Sequence, residues 1–166
     1  MGAKTAITEA QYLRTSYPDL DKEYRDGDVL ERTLPDYLHS KTQSLLSALF
    51  IGVRETLHLY PGSELRLQVR RGLYRIPDLC VFHPHEPAEA VPSTPPFIVV
   101  EILSPDDRMA EVRSKLEEYK QWGVAHVWLV DPHSKRMYSC DSGFAEVPTL
   151  SVPELSLEVT PADIFE

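Results

Sequence analysis

Three ionisable side chains stand in apolar surroundings in this 166-residue sequence: Asp78, Glu101 and Lys115. Residues 73–82 read LYRIPDLCVF. Read as one strand, this stretch alternates between two faces, and Asp78 shares a face with Tyr74, Ile76, Cys80 and Phe82. Residues 97–103 read FIVVEIL, apolar on both faces like a doubly covered central strand, with Glu101 the one polar member. Residues 106–122 have helical spacing, and on the wheel Lys115 falls inside the arc of Val112, Leu116, Tyr119 and Trp122. Arg113, Glu117 and Lys120 fall outside it. An acid on apolar ground is costly unless it is paired, hydrogen-bonded or bound to metal. Two such acids on neighbouring strands, with a lysine aimed at them, suit a metal-dependent phosphodiesterase. Carboxylate oxygens suit Mg²⁺ or Mn²⁺. Such an ion polarises phosphate and acidifies water, while lysine orients that water or stabilises the developing charge. The same pattern also suits a buried structural ion pair, with Lys115 extending past Tyr119 to solvent. Patterning alone leaves both readings open.

The elements that must position these residues can be read in order. Thr8-Glu-Ala-Gln11 has capping-box spacing and predicts a short helix over 9–16, ended by Tyr17-Pro18. Asp26-Gly27 signals a hairpin with strands near 22–25 and 28–33. The longest helical pattern covers 36–57, with Leu38, Leu45, Leu46, Leu49, Val53 and Leu57 as its stripe and His39 at its start. Residues 64–70 alternate as a strand, Arg71-Gly72 turns into the Asp78 strand, and the proline-rich 83–96 makes a loop. Gly123 ends the lysine helix, 125–130 forms a buried strand, and 136–140 with 144–147 forms a hairpin. Thr160-Pro161 opens a last short helical turn. Helices and strands in this order predict an α/β domain with a central mixed sheet flanked by helices.

Arg75-Ile-Pro77-Asp78, then Val100-Glu101-Ile-Leu-Ser-Pro105, then Lys115-Leu-x-x-Tyr119, then Gly123-Val and Trp128-x-Val-Asp131-Pro132 together resemble the Uma-two family of restriction endonucleases, within the PD-(D/E)xK nuclease superfamily. The resemblance covers most of the chain and is most specific over 97–132. It implies a restriction-endonuclease-like fold. It also implies Asp78 and Glu101 as metal ligands for Mg²⁺ or Mn²⁺, Lys115 as the catalytic lysine and DNA as the substrate. Leu103 stands where the superfamily has its usual lysine, two residues after Glu101; in this family the lysine sits on the following helix, which fits Lys115. Related nucleases can use an acid from the N-terminal part to assist the metal. Glu31 is the candidate here, set against a plain exposed strand acid.

Size and composition bound the rest. A chain of 166 residues, 42% apolar and 26% charged, suits one domain over 1–166 with a real core. No apolar run reaches the roughly 20 residues of a membrane span, and the N-terminus lacks a signal-peptide core. Cys80 and Cys140 have no metal-site spacing and suit buried free thiols in a reducing cytoplasm. The net charge of −9 argues against a general nucleic-acid binder. However, six acids and no Lys or Arg lie in 140–166, while Arg66, Arg70, Arg71 and Arg75 cluster just before Asp78 and could reach a phosphate backbone. A homodimer is plausible for an enzyme that cuts two strands. The competing functions are a non-catalytic binding module on the same fold and, with less support, a zinc hydrolase using His83 and His85.

Overall fold

Asp26 and Gly27 both have positive φ, 48° and 102°, as a two-residue hairpin turn requires. In the computed structural model, which describes residues 6–18 and 20–166, this turn joins β1 (Glu23–Arg25) to β2 (Asp28–Leu30). Ahead of it runs α1 (Glu9–Arg14), closed by the reciprocal Thr8–Gln11 capping box. The expected long helix is α2 (Tyr37–Gly52), capped by the Asp36 carboxylate, with a separate turn α3 (Arg54–Leu57) beyond Val53. Its buried stripe is His39, Thr42, Leu46 and Phe50. Leu38 was expected inside and is exposed.

Five strands follow before the lysine helix: β3 (Tyr60–Ser63), β4 (Leu67–Arg70), β5 (Leu73–Arg75), β6 (Leu79–Phe82) and β7 (Ile98–Ile102). The single strand expected over 73–82 is two strands. It breaks at Ile76-Pro77-Asp78, where Pro77 has no N–H to give a ladder. Strand β5 lies in a four-stranded antiparallel sheet, β2-β1-β5-β4, whereas β6 lies in the main sheet. The lysine helix is α4 (Met109–Trp122), ended by Gly123 at φ 110°. It connects β7 to its parallel neighbour β8 (His126–Asp131). Then come β9 (Arg136–Ser139), β10 (Ala145–Val147), the small hairpin β11 (Leu150–Val152) and β12 (Leu157–Val159), and α5 (Pro161–Phe165). The β11–β12 hairpin was not expected; its strands have three residues each, too few to show alternation.

The main sheet runs β10-β9-β8-β7-β6-β3, antiparallel except at β7–β8. Its central strand β7 is buried at every position. Alternate residues of β7 feed two cores. Ile98, Val100 and Ile102 pack with Leu46 and Phe50 of α2 and with Ile164 and Phe165 of α5. Val99 packs with Leu116 and Tyr119 of α4 and with Leu67 and Leu73 of the smaller sheet. Glu101 shares the parity of Val99, so it is turned towards α4 and the smaller sheet. The fold is thus the mixed sheet flanked by helices that the sequence predicts.

Candidate active site

Asp78 and Glu101 meet because β6 and β7 run antiparallel with Leu79 opposite Val100, so the next register step sets Asp78 beside Glu101. Both are buried. The N–H of Ile102 donates to Asp78 Oδ2 at 2.7 Å, which fixes that carboxylate and leaves Oδ1 turned to His39 Nε2 at 3.2 Å. The Lys115 ammonium lies 3.0 Å from Glu101 Oε1, and the Tyr119 hydroxyl donates to the same oxygen at 2.8 Å. Lys115 and Tyr119 are four residues apart on one face of α4, so one helix delivers both groups. Among the described residues Glu101 Oε2 takes no hydrogen bond.

A third acid completes the group, and it is not Glu31. The Glu31 carboxylate is 79% exposed and pairs with Lys22. Hairpin register explains this: Glu23 pairs with Leu30, so Glu31 lies past the end of the ladder. Glu23 faces inward instead. Its Oε1 lies 2.9 Å from the Lys115 ammonium and accepts the Ile76 N–H at 2.8 Å, while Oε2 accepts from Arg75 at 2.8 Å. Arg75 also donates to Glu118, so it is spent inside the protein and not free for a phosphate backbone. Arg70 is likewise paired, with Asp26. Sequence reading missed Glu23 because a three-residue strand, EYR, shows no apolar run against which an acid stands out. The available signal was the Asp26-Gly27 turn, whose register sets Glu23 across from Leu30.

Electrostatics separate these acids. Burial raises the Glu101 carboxyl to about 7; Asp78 and Glu23 push the same way, while Lys115 and the Tyr119 hydroxyl pull it down. Burial also acts on Glu23, but Lys115, Arg75 and the Ile76 N–H outweigh it and hold that carboxyl at about 2. For Lys115 burial works against the charge, yet Glu101 and Glu23 prevail and raise its pKa, so it stays an ammonium ion. His39 is raised in the same sense: burial lowers it, and Asp78 more than reverses this.

These groups open onto a cavity of about 610 Å³ between the smaller sheet, the start of α4 and the segment after β2. Seven carboxylates and five Lys or Arg side chains line it. Thr33 closes one side by donating to Asp107 at 2.7 Å, and Asp107 in turn holds the Ser104 N–H. His83 and His85 lie elsewhere. His83 Nδ1 sits 3.1 Å from the His58 carbonyl, and its ring packs on Phe97.

The sequence model of the Uma2 family, described as "Putative restriction endonuclease", matches residues 9–165. The chain belongs to this family. Among solved structures, a "putative nuclease belonging to DUF820" from Anabaena variabilis ATCC 29413 superposes with a TM-score of 0.80 at 23% identity. The match covers 96% of this chain and 97% of that one. No curated protein matches. At that identity the structural likeness shows a shared fold. The Uma2 match spans both candidate acids, the lysine and Glu23.

The donor set can be tested against a metal. Among the described residues no group of three or more His, Cys, Asp or Glu is placed to hold an ion. This disfavours an all-protein cage of the zinc or calcium kind, His83 and His85 included. Mg²⁺ is different: it keeps several waters and is held by one or two carboxylates plus substrate phosphate. Asp78 and Glu101 provide two carboxylates side by side, and a cavity with more acids than bases gains charge balance from one divalent cation. The residues fit Mg²⁺ or Mn²⁺.

Proposed function

We propose that this Uma2-family chain is a Mg²⁺- or Mn²⁺-dependent endonuclease that hydrolyses DNA phosphodiester bonds. The observation that carries this reading is the junction of Asp78 and Glu101 across β6 and β7, with the Lys115 ammonium 3.0 Å from Glu101 at the edge of an open cavity. Asp78 Oδ1 and Glu101 Oε2 would hold the cation. A cation bound there supplies electrophilic pull on the phosphate and lowers the pKa of an attacking water. The chain's own groups do the rest. Lys115 stays protonated and offers N–H donors to the developing negative charge. Glu23 and Tyr119 fix where that ammonium and the Glu101 carboxylate stand. The cavity walls hold the phosphate against them.

A non-catalytic module on the same fold is the second reading, favoured by Lys115 being already paired to two carboxylates. The cavity supports the catalytic reading, since it gives a substrate access to Asp78, Glu101 and Lys115. No helix among the described residues is long and apolar enough to cross a membrane. Cys80 and Cys140 are buried and unpaired, which supports a reducing, cytoplasmic setting. A symmetric dimer would present two such cavities to a duplex.

Calorimetric titration of Mn²⁺ into wild type and Asp78→Ala tests the reading, together with nicking of supercoiled plasmid. Binding and nicking in wild type, both lost in Asp78→Ala, is the expected result. Nicking that survives in Asp78→Ala and in Lys115→Ala would sink the assignment.

A further inference from the structure

One buried cation in the cavity has no role in the network just described. Arg32 follows β2, in the extended segment that leads to α2, and its side chain is only 10% exposed. Its NH2 lies 3.7 Å from Asp78 Oδ1, and its NH1 lies 3.9 Å from Glu64 Oε2. Both distances exceed hydrogen-bond length. Its NH1 is buried and has no hydrogen-bond partner among the described residues. A guanidinium carries five N–H donors in a rigid fork, and buried polar groups are as a rule satisfied. Arg75, whose side chain is 7% exposed, shows the satisfied case, with Glu23 and Glu118 both in contact at 2.8 Å. Arg32 differs because it lines the cavity beside Asp78, where the open space can hold a ligand.

We infer that Arg32 is a phosphate-binding residue of this site, taking a non-bridging oxygen pair of a nucleic-acid phosphodiester in the cavity. The inference rests on the nuclease reading for the identity of the ligand. The chemistry follows from the donor geometry. Paired N–H groups match two oxyanion oxygens, and arginine is the residue that makes this match in bidentate form. Its place also fits. Asp78 lies on one side and the Thr33–Asp107 tie holds the arginine's segment against the turn before α4. A phosphate held by Arg32 would therefore sit next to the two carboxylates proposed to hold the cation. The competing account makes Arg32 a mere counter-charge to Asp78 and Glu64.

Binding of a fluorescent DNA duplex to wild type, Arg32→Gln and Arg32→Lys, followed by anisotropy across about 50 to 200 mM salt, separates the two. The inference expects Arg32→Gln to bind about tenfold more weakly, with its log–log salt slope smaller by about 0.9. It expects Arg32→Lys to keep the slope while losing part of the affinity, because a point charge replaces a fork. Inorganic phosphate should compete with the duplex in wild type and much less in Arg32→Gln. Equal slopes and equal phosphate competition in folded Arg32→Gln would overturn the inference and leave Arg32 a counter-charge. Plasmid nicking with Mn²⁺, run alongside, keeps the two failures apart. Arg32-dependent binding without wild-type nicking refutes the enzyme and keeps the phosphate site. Wild-type nicking with KM and kcat unchanged in Arg32→Gln keeps the enzyme and refutes the site.

Discussion

Glu23 bridges two cations, Lys115 and Arg75. Its carboxyl sits at about 2, so its contribution to stability obeys a definite sign. The folded value lies below the ordinary carboxylate value of 4.5. The stabilisation is therefore fully present above the ordinary value and is lost as pH falls through the folded one. Glu23→Gln should unfold more readily in urea at neutral pH, by about 3 kcal/mol, and should show a flatter acid limb than wild type. Unchanged acid denaturation in Glu23→Gln would mean that Lys115 and Arg75 find other partners. Glu101 carries the opposite sign: with its carboxyl at about 7, proton and cation compete for it. Mn²⁺ affinity should rise with pH up to and through that value, and isothermal titration at pH 6 and pH 8 checks it. At this scale the sequence showed Asp78, Glu101 and Lys115 because each breaks an apolar pattern. Glu23 and Arg32 were hidden because each lies in a stretch without one.

Elements carry those residues to their places, and α2 depends on a small local device. Asp36 caps α2 by accepting the His39 N–H at 2.9 Å, and its other oxygen lies 2.6 Å from His133. His39 is in turn the side chain next to Asp78 Oδ1, so the cap also sets a wall of the site. Asp36→Ala should cost about 1 kcal/mol and lower the melting temperature by about 2 to 4 °C, as read by calorimetry. Helix α4 was legible almost whole, from its wheel and from Gly123. The break within 73–82 was not. Alternation continues formally across Pro77, and only the pairing of β5 with β1 and β6 with β7 separates the two halves into different sheets. Likewise β3 was not predicted, since only its pairing with β6 marks Tyr60–Ser63 as a strand.

Across the whole molecule, His126 fastens the sheet to the C-terminal part. At the start of β8 it meets Asp141 at 2.6 Å through Nδ1 and Glu154 at 2.7 Å through Nε2. Burial lowers its pKa, and the two carboxylates reverse this, so the imidazolium is favoured in the folded state. Its stabilisation is fully present below the unfolded histidine value and is lost as pH rises through the raised folded value. Urea midpoints should fall with rising pH over that window in wild type and stay flatter in His126→Gln. The class of fold was legible because strand and helix patterns alternate along the chain. The separation of β2-β1-β5-β4 from the main sheet was not, since it depends on long-range pairing.

Strand β3 is one of the two outer strands of the main sheet. Pro61 of β3 lies opposite Val81, and the Val81 carbonyl accepts from Phe97 on its far side. Peptide groups of one residue in an antiparallel strand point the same way, so Val81 turns away from β3, and Pro61 turns outward. The imide nitrogen therefore costs the ladder nothing and leaves a gap in the donor row along the rim. A stray extended polypeptide, arriving from another molecule, finds an incomplete template there. This margin of the protein resists fibrous self-association by its covalent chemistry, without a single charge.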